Sequence, residues 1–425
     1  MKYLTNSLLF TFLLLVSTSS HPINDRSEEV AEPIAFSPAY ALSLFPFANG
    51  SMIDSTHVLD AVFEKLALLR SASCDSSQFV IVHLGDSHIQ GGTLSGKMRK
   101  NLHLFFGNAG RGLISPYRLA RSNNPVDYSF ESDIKWESER MITANTTVPI
   151  GVTGMTLSSK DKRANLSFTV SNEGDTLDYS FNRVRFFPSE CSVRFKPESA
   201  TDLSDHAVED SCRWFLKQKR DALTFVPDST FLSDTPAYFS GLSLENGEKG
   251  VLYHAIGVNG AHFYDYTNHP ELLQQIALLK PHLIIVSLGT NEAFGKNCTK
   301  QQVYAQLEAM ISSLEQTNPG AQLLLTTPPE VYAKQRIKRR TVYVVNKRCK
   351  LVADVILNYG KERGIPVWDL FSATGGDNSC KIWQKNHLLK SDRVHFTEKG
   401  YTIQADLFFQ SFTDKYNEYL ELRRR

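Results

Sequence analysis

Beyond its first residues the chain has no apolar run approaching the ~20 residues that a membrane-crossing helix needs, so no integral span is expected. It has no excess of either charge. Lys and Arg number 46 against 45 Asp and Glu, a formal net charge of +1, and no global field would gather nucleic acid. Cysteine is scarce, six in 425 residues, and neither a CxxC spacing nor a His/Cys cluster is present. A structural zinc is therefore not expected, and no metal or cofactor is implied. Internal repeats and low-complexity tracts are also missing. What remains is 42% hydrophobic and 21% charged residues, ordinary globular usage in a chain long enough for two or three domains.

The first residues depart from that average. Lys2 precedes the apolar run Leu8 to Val16, and Ser17 to Ser20 follow before His21 and Pro22. A basic start, a short apolar core and small residues at a cleavage point predict a signal peptide over 1–20 and an exported protein, periplasmic or extracellular. Residues 21–50, rich in Pro, Ser and Ala, read as an extended leader. Export permits disulfides, and Cys191 with Cys212 is the first pairing to expect because both fall in one inserted region. The basic tip Arg423 to Arg425 reads as a solvated end.

Helical spacing from Ser55 to Leu69 leads into the apolar run Phe79 to Val82, which stops at Gly85. The same grammar returns later. Leu283 to Val286 stops at Gly289, a helix is expected over Thr299 to Gln316 with Thr299 and Gln302 as a capping box, and Gln322 to Leu325 reads as a strand. A basic helical stretch is expected from about Arg339 to Arg363, a strand over Ile365 to Leu370 and a closing helix over Glu398 to Leu420. Strands alternating with helices predict a parallel sheet covered on both faces. Between about 114 and 250 short alternating stretches replace the helices, which predicts an inserted β-sandwich-like module. The expected division is 51–113 and 251–425 for the α/β domain, with 114–250 inserted.

Four clusters follow the strands. Gly85-Asp86-Ser87-His88 places a serine on a turn at the mouth of the sheet, where ligands of open α/β folds collect. Gly257 to Gly260 offers a backbone N–H on a strand-to-loop turn, and Gly289-Thr290-Asn291 a side-chain N–H donor beside a glycine. Asp392 and His395 supply what a serine nucleophile needs, a base and a carboxylate to hold it. Each pattern alone also fits an ordinary turn or cap.

Taken together, the four resemble the SGNH, or GDSL-type, hydrolase superfamily, whose blocks are Gly-Asp-Ser-His at 85–88, Gly260, Gly-Thr-Asn at 289–291 and Asp-x-x-His at 392–395. The resemblance implies a flavodoxin-like three-layer α/β/α fold and ester hydrolysis through an acyl-serine without metal. It implies Ser87 as nucleophile, His395 as base then acid and Asp392 as its orienting partner. The oxyanion donors would be the N–H groups of Ser87 and Gly260 and the amide of Asn291. His88 is expected to shape the pocket and Asp86 to support the turn.

An exported SGNH chain with a β-rich insert after its first block is similar in layout to periplasmic peptidoglycan O-acetylesterases. That likeness implies an acetylated glycan as partner, the acetyl on the C6 hydroxyl of N-acetylmuramic acid, and an insert resembling a carbohydrate-binding module. Acetylxylan or other carbohydrate esterase, arylesterase or lipase, O-acetyltransferase and a non-catalytic sugar-binding protein remain alternatives. Aromatics of the insert and its edges, among them Trp136, Trp214, Tyr128, Tyr179, Phe186 and Phe239, are expected mainly in a sandwich core.

Overall fold

The computed structural model describes residues 31–38, 52–71, 78–171, 177–187, 195–199, 203, 212–228, 236–296 and 298–425. The expected signal peptide, most of the leader, Cys74 and Cys191, and hence the Cys191–Cys212 pairing, lie outside them. Among the described residues no helix is long and apolar enough to cross a membrane.

Six strands form the main sheet, in the order Met52–Ile53, Val367–Trp368, Gln322–Thr326, Leu283–Ser287, Gln78–Gly85 and Gly250–Gly257. All pairs are parallel except the first, where Met52 faces Trp368 antiparallel. Phe79, Val80, Ile81, Val82 and Leu84 are all buried, as a strand covered on both faces requires. Helices Asp60–Arg70, Thr93–Phe106 and Glu398–Arg424 pack together, with Phe63 edge-on to Phe412 at 5.2 Å. Helices Phe263–Thr267, Pro270–Ala277, Lys300–Thr317 and Arg348–Arg363 make a second group. The result is an α/β/α sandwich. Thr299 caps its helix by accepting from the Gln302 N–H at 3.2 Å.

Two expectations are corrected. The basic stretch from Arg339 is not continuous helix. Arg340–Val345 is a strand paired antiparallel with Tyr332–Ile337, and helix begins only at Arg348. Thr341, Val342, Tyr343, Val344 and Val345 are β-branched or aromatic and pack better on a pleated surface than on a helix. The strand expected over Ile365–Leu370 shrinks to Val367–Trp368, because Pro366 has no N–H to enter the ladder and Asp369 caps the following short helix.

Among the described residues, three antiparallel sheets lie between the first and second main-sheet segments. One runs Arg213–Arg220, Phe181–Phe187, Gly241–Glu245, Gly112–Ile114; the next Tyr128–Glu131, Leu166–Val170, Ala222–Pro227, Phe195–Pro197; the last Ala237–Phe239, Met155–Ser159, Glu137–Arg140. They enclose their own core, in which Phe186 meets Phe239 at 4.9 Å and Trp214 meets Phe225 at 4.9 Å. Trp136, Trp214, Tyr128, Tyr179, Phe186 and Phe239 are all buried, so these rings are packing side chains. Asp127 ties the insert to the α/β layers: Arg111 reaches its two oxygens at 3.0 Å each, and Arg99 from helix Thr93–Phe106 donates to it at 2.5 Å.

Candidate active site

Three strand ends are level. Gly257 and Ser287 both face Gly85 across the ladder, so the loops that follow each strand start from one row at the carboxyl edge of the sheet. The short helix Ser87–Gln90 lies directly on this row. A Cβ on Gly85 would stand 2.2 Å from Ile89 Cγ1, and one on Gly257 only 2.3 Å from the Gln90 amide nitrogen. Asp86 caps this helix, its Oδ1 accepting from the His88 N–H at 2.9 Å. From the neighbouring layer the Tyr266 hydroxyl lies 2.8 Å from Gly85 O and accepts from the Gly85 N–H at 3.1 Å. The turn carrying Ser87 is therefore held from below and from the side.

Ser87 Oγ is 2.8 Å from His395 Nε2, and His395 Nδ1 is 2.9 Å from Asp392 Oδ2. The other Asp392 oxygen accepts the N–H groups of Val394 and His395, both at 2.9 Å. Burial pushes the Asp392 carboxyl up, but these donors and the imidazole outweigh it and hold it below its ordinary value. A carboxylate at Nδ1 selects the tautomer that leaves Nε2 free to accept from the serine. The loop is short enough for this because Arg393 takes a left-handed conformation (φ 59°) between the two residues.

The Asn291 amide links the segments that carry the three expected oxyanion donors. Asn291 Nδ2 is 2.9 Å from Ala261 O, in the loop of Gly260, and 3.2 Å from Oδ2 of Asp86, beside Ser87. Among the described residues the N–H groups of Ser87 and Gly260 have no acceptor. Gly260 has φ +84°, and a Cβ there would meet only Ile142 Cδ1, at an ordinary contact distance of 3.8 Å. Asn291 follows Gly289, whose φ of +121° and close approach to Val352 and Pro328 admit no side chain.

Several supports have no motif to announce them. Gln90, buried one turn after Ser87, accepts the Asn259 N–H at 2.8 Å and donates to Ser122 Oγ and Asn123 Oδ1 at 2.7 and 2.8 Å. It thus joins the serine helix to the Gly260 loop and to the start of the insert. The only sequence signal was its helical spacing from Ser87. Tyr117 of the insert reaches Gly257 O at 2.7 Å. His88 is buried and neutral, its proton affinity lowered to about 3 by burial and by His395; its Nδ1 lies 2.9 Å from the Tyr401 hydroxyl. It shapes the floor of the site, its ring centroid 5.3 Å from that of His395.

Acid groups crowd the side of Asn291. Burial raises Asp86 to about 7, with Glu292 adding to the rise, and burial also raises Glu292 itself. Glu292 Oε1 accepts the Phe263 N–H at 2.7 Å. Burial works against a charge on His262, but its hydrogen bond to Asp265 and the surrounding carboxylates raise its proton affinity above the ordinary value. A recess of about 190 Å³ opens here, lined by His262, Tyr264, Glu292, Lys296 and Gln302.

Residues 231–403 match the GDSL-like lipase/acylhydrolase family. The matched span holds Gly260, Asn291, Asp392 and His395 and begins after Ser87. No curated protein matches. Among solved structures, one described as a peptidoglycan O-acetylesterase is 20% identical with a TM-score of 0.67, covering 87% of this chain and 100% of that one. A lipase/acylhydrolase from Enterococcus faecalis is 22% identical over 40% of this chain and 77% of that one, TM-score 0.29. An acetylxylan esterase from Geobacillus stearothermophilus is 17% identical over 39% and 73%, TM-score 0.30. The first of these overlays, over 87% of this chain, shows a shared fold.

Proposed function

We propose that this chain, a carboxylic ester hydrolase on the SGNH fold, removes O-acetyl groups from a carbohydrate polymer, with O-acetylated peptidoglycan as the leading substrate, through an acetyl-serine intermediate. The observation that carries the mechanism is the relay from Ser87 Oγ to His395 Nε2 at 2.8 Å and from His395 Nδ1 to Asp392 at 2.9 Å.

In this mechanism Ser87 Oγ attacks the acetyl carbonyl as its proton passes to His395 Nε2. Asp392 holds the ring and stabilises the imidazolium. The negative charge that develops on the carbonyl oxygen is met by the N–H groups of Ser87 and Gly260, which have no acceptor among the described residues, and by the Asn291 amide. Asn291 has both hydrogens engaged before substrate arrives, and the longer contact, to Asp86, is the one exchanged for the oxyanion. His395 then returns its proton to the leaving sugar hydroxyl. Water, activated by the same base, attacks the acetyl-serine, releases acetate and restores Ser87.

The structural overlay with a peptidoglycan O-acetylesterase over 87% of this chain supports the glycan reading. Acetate release from O-acetylated peptidoglycan and from acetylated xylan, each beside Ser87→Ala, is the deciding measurement. Ser87-dependent release from peptidoglycan supports the whole reading. Release from xylan alone keeps the mechanism and replaces the substrate, and no Ser87-dependent release from either overturns it.

A further inference from the structure

Between Glu330 and Asp354 the sequence holds eight Lys and Arg and no acid, in a chain whose 46 Lys and Arg and 45 Asp and Glu nearly cancel overall. The structure gathers most of them on one feature, the hairpin of Tyr332–Ile337 and Arg340–Val345. Arg336, Lys338, Arg339 and Arg340 are exposed and make no ion pair among the described residues.

The hairpin is joined to the catalytic loop. Tyr332 N–H donates to Arg393 O at 3.1 Å, and the Arg393 guanidinium lies 4.2 Å from the Tyr343 ring centroid and 5.6 Å from that of Tyr332. Arg393 stands between Asp392 and His395. In the register, Lys334 faces Tyr343 and Arg336 faces Thr341, so Tyr332, Lys334, Arg336 and Tyr343 share the face on which Arg393 lies. A strip of cations and aromatic rings thus runs from the catalytic loop towards the hairpin tip.

The tip itself is unusual. Ile337 pairs with Arg340, leaving Lys338 and Arg339 as a two-residue link with φ of 45° and 67°. Asn-Gly is the favoured occupant of such a link, because side chains rarely adopt two successive left-handed conformations. Here the favoured pair is replaced by two cations, at a cost in backbone strain, where they project farthest.

We propose that this hairpin is a docking arm for a carboxylate-bearing acetylated glycan, holding its acid groups along Arg336, Lys338, Arg339 and Arg340 while sugar rings meet the half-buried Tyr343 edge. It rests on the esterase reading above and makes its substrate an anionic polymer.

The test uses the full chain with Lys338→Asn and Arg339→Gly, which remove charge while giving the turn its favoured residues, then adds Arg336→Gln and Arg340→Gln. The double variant should keep or raise Tm, showing an intact hairpin. In the Ser87→Ala background, pelleting with insoluble O-acetylated peptidoglycan, whose stem peptides carry carboxylates, should weaken about tenfold in the fourfold variant at low salt. Its dependence on salt should flatten, and pelleting with neutral acetylated xylan should not change. With Ser87 present, the ratio of acetate release from peptidoglycan to that from xylan should fall by a similar factor.

Unaltered pelleting and salt dependence in a folded fourfold variant overturn the proposal. So does loss of binding to phosphatidylglycerol vesicles with glycan binding intact, which would assign the arm to a membrane. If Ser87-dependent release persists while the variants bind normally, only the docking arm fails. If hairpin-dependent binding is found without release, the esterase reading fails and the arm stands.

Discussion

The Asp86 carboxylate accepts a hydrogen bond from the Asn291 amide at 3.2 Å, placing an acid against the group expected to stabilise an oxyanion. The same carboxylate caps the helix that carries Ser87. One buried acid therefore sets both the serine turn and the direction of the amide.

That acid makes stability depend on pH. Unfolded, Asp86 ionises near its ordinary value of 3.8; folded, burial moves it to about 7. Between these values the native state binds more protons than the unfolded state, so this contribution is complete below the lower value and is lost as pH rises through the upper one. The full swing is about 4 kcal/mol. Asp86→Asn cannot ionise, so denaturant titrations at pH 4.5 and 8 should show a smaller loss of stability on raising pH than in the parent. Equal losses would sink the assignment. The variant also turns an N–H2 group towards Asn291, and kcat should fall roughly 10- to 100-fold.

Removing the amide tests the other partner. Asn291→Ala deletes a donor worth about 2.7–4 kcal/mol in the transition state, so kcat on a small acetyl ester should drop roughly 100- to 1000-fold. Near-parental kcat in this variant would remove Asn291 from the oxyanion site.

Asp392→Asn replaces an acceptor at His395 Nδ1 with an amide able to donate there, favouring the wrong tautomer. The expected loss is on the order of 10,000-fold in kcat with little change in KM. In the parent, Asp392 is held below its ordinary value, so its contribution to stability is present above the unfolded value and fades as pH falls through the folded one. A variant that keeps full kcat would mean the ring is oriented by other groups.

The legible parts of the fold were those fixed by local pattern. Phe79 to Val82 and Leu283 to Val286 are continuous apolar runs ending in glycine, and a strand buried on both faces must look like that. Asp392 and His395 are three residues apart, so one loop brings them together. Gln90, Ser122, Asn123 and Asn259 escaped notice because their contacts join segments distant in sequence, and a lone polar residue on a helix gives no signal of partners across a fold. The hairpin departs from the helical expectation because Lys and Arg are good helix formers whereas the run Thr341 to Val345 prefers a strand, and the strand prevails.

The glycines around the serine offer a graded test of how tightly the turn is built. Gly257→Ala drives a Cβ to 2.3 Å from the Gln90 nitrogen and 2.8 Å from Asp86 O, both backbone atoms that cannot rotate aside. The short helix must move, with an expected stability cost of about 1–3 kcal/mol. A shift of roughly 1 Å in Ser87 should lower kcat about 100-fold. Gly260→Ala meets only Ile142 Cδ1 at 3.8 Å, but its φ of +84° adds strain of about 1–2 kcal/mol, so it should fold and lose less activity. Gly320→Ala meets nothing within 4 Å and should change stability by less than about 0.5 kcal/mol. Thermal unfolding and kcat measured on the three variants should follow that order. If Gly257→Ala matched Gly320→Ala in both, the serine helix would not be pinned to the strand ends, and its position would have to come from Asp86 and Gln90 alone.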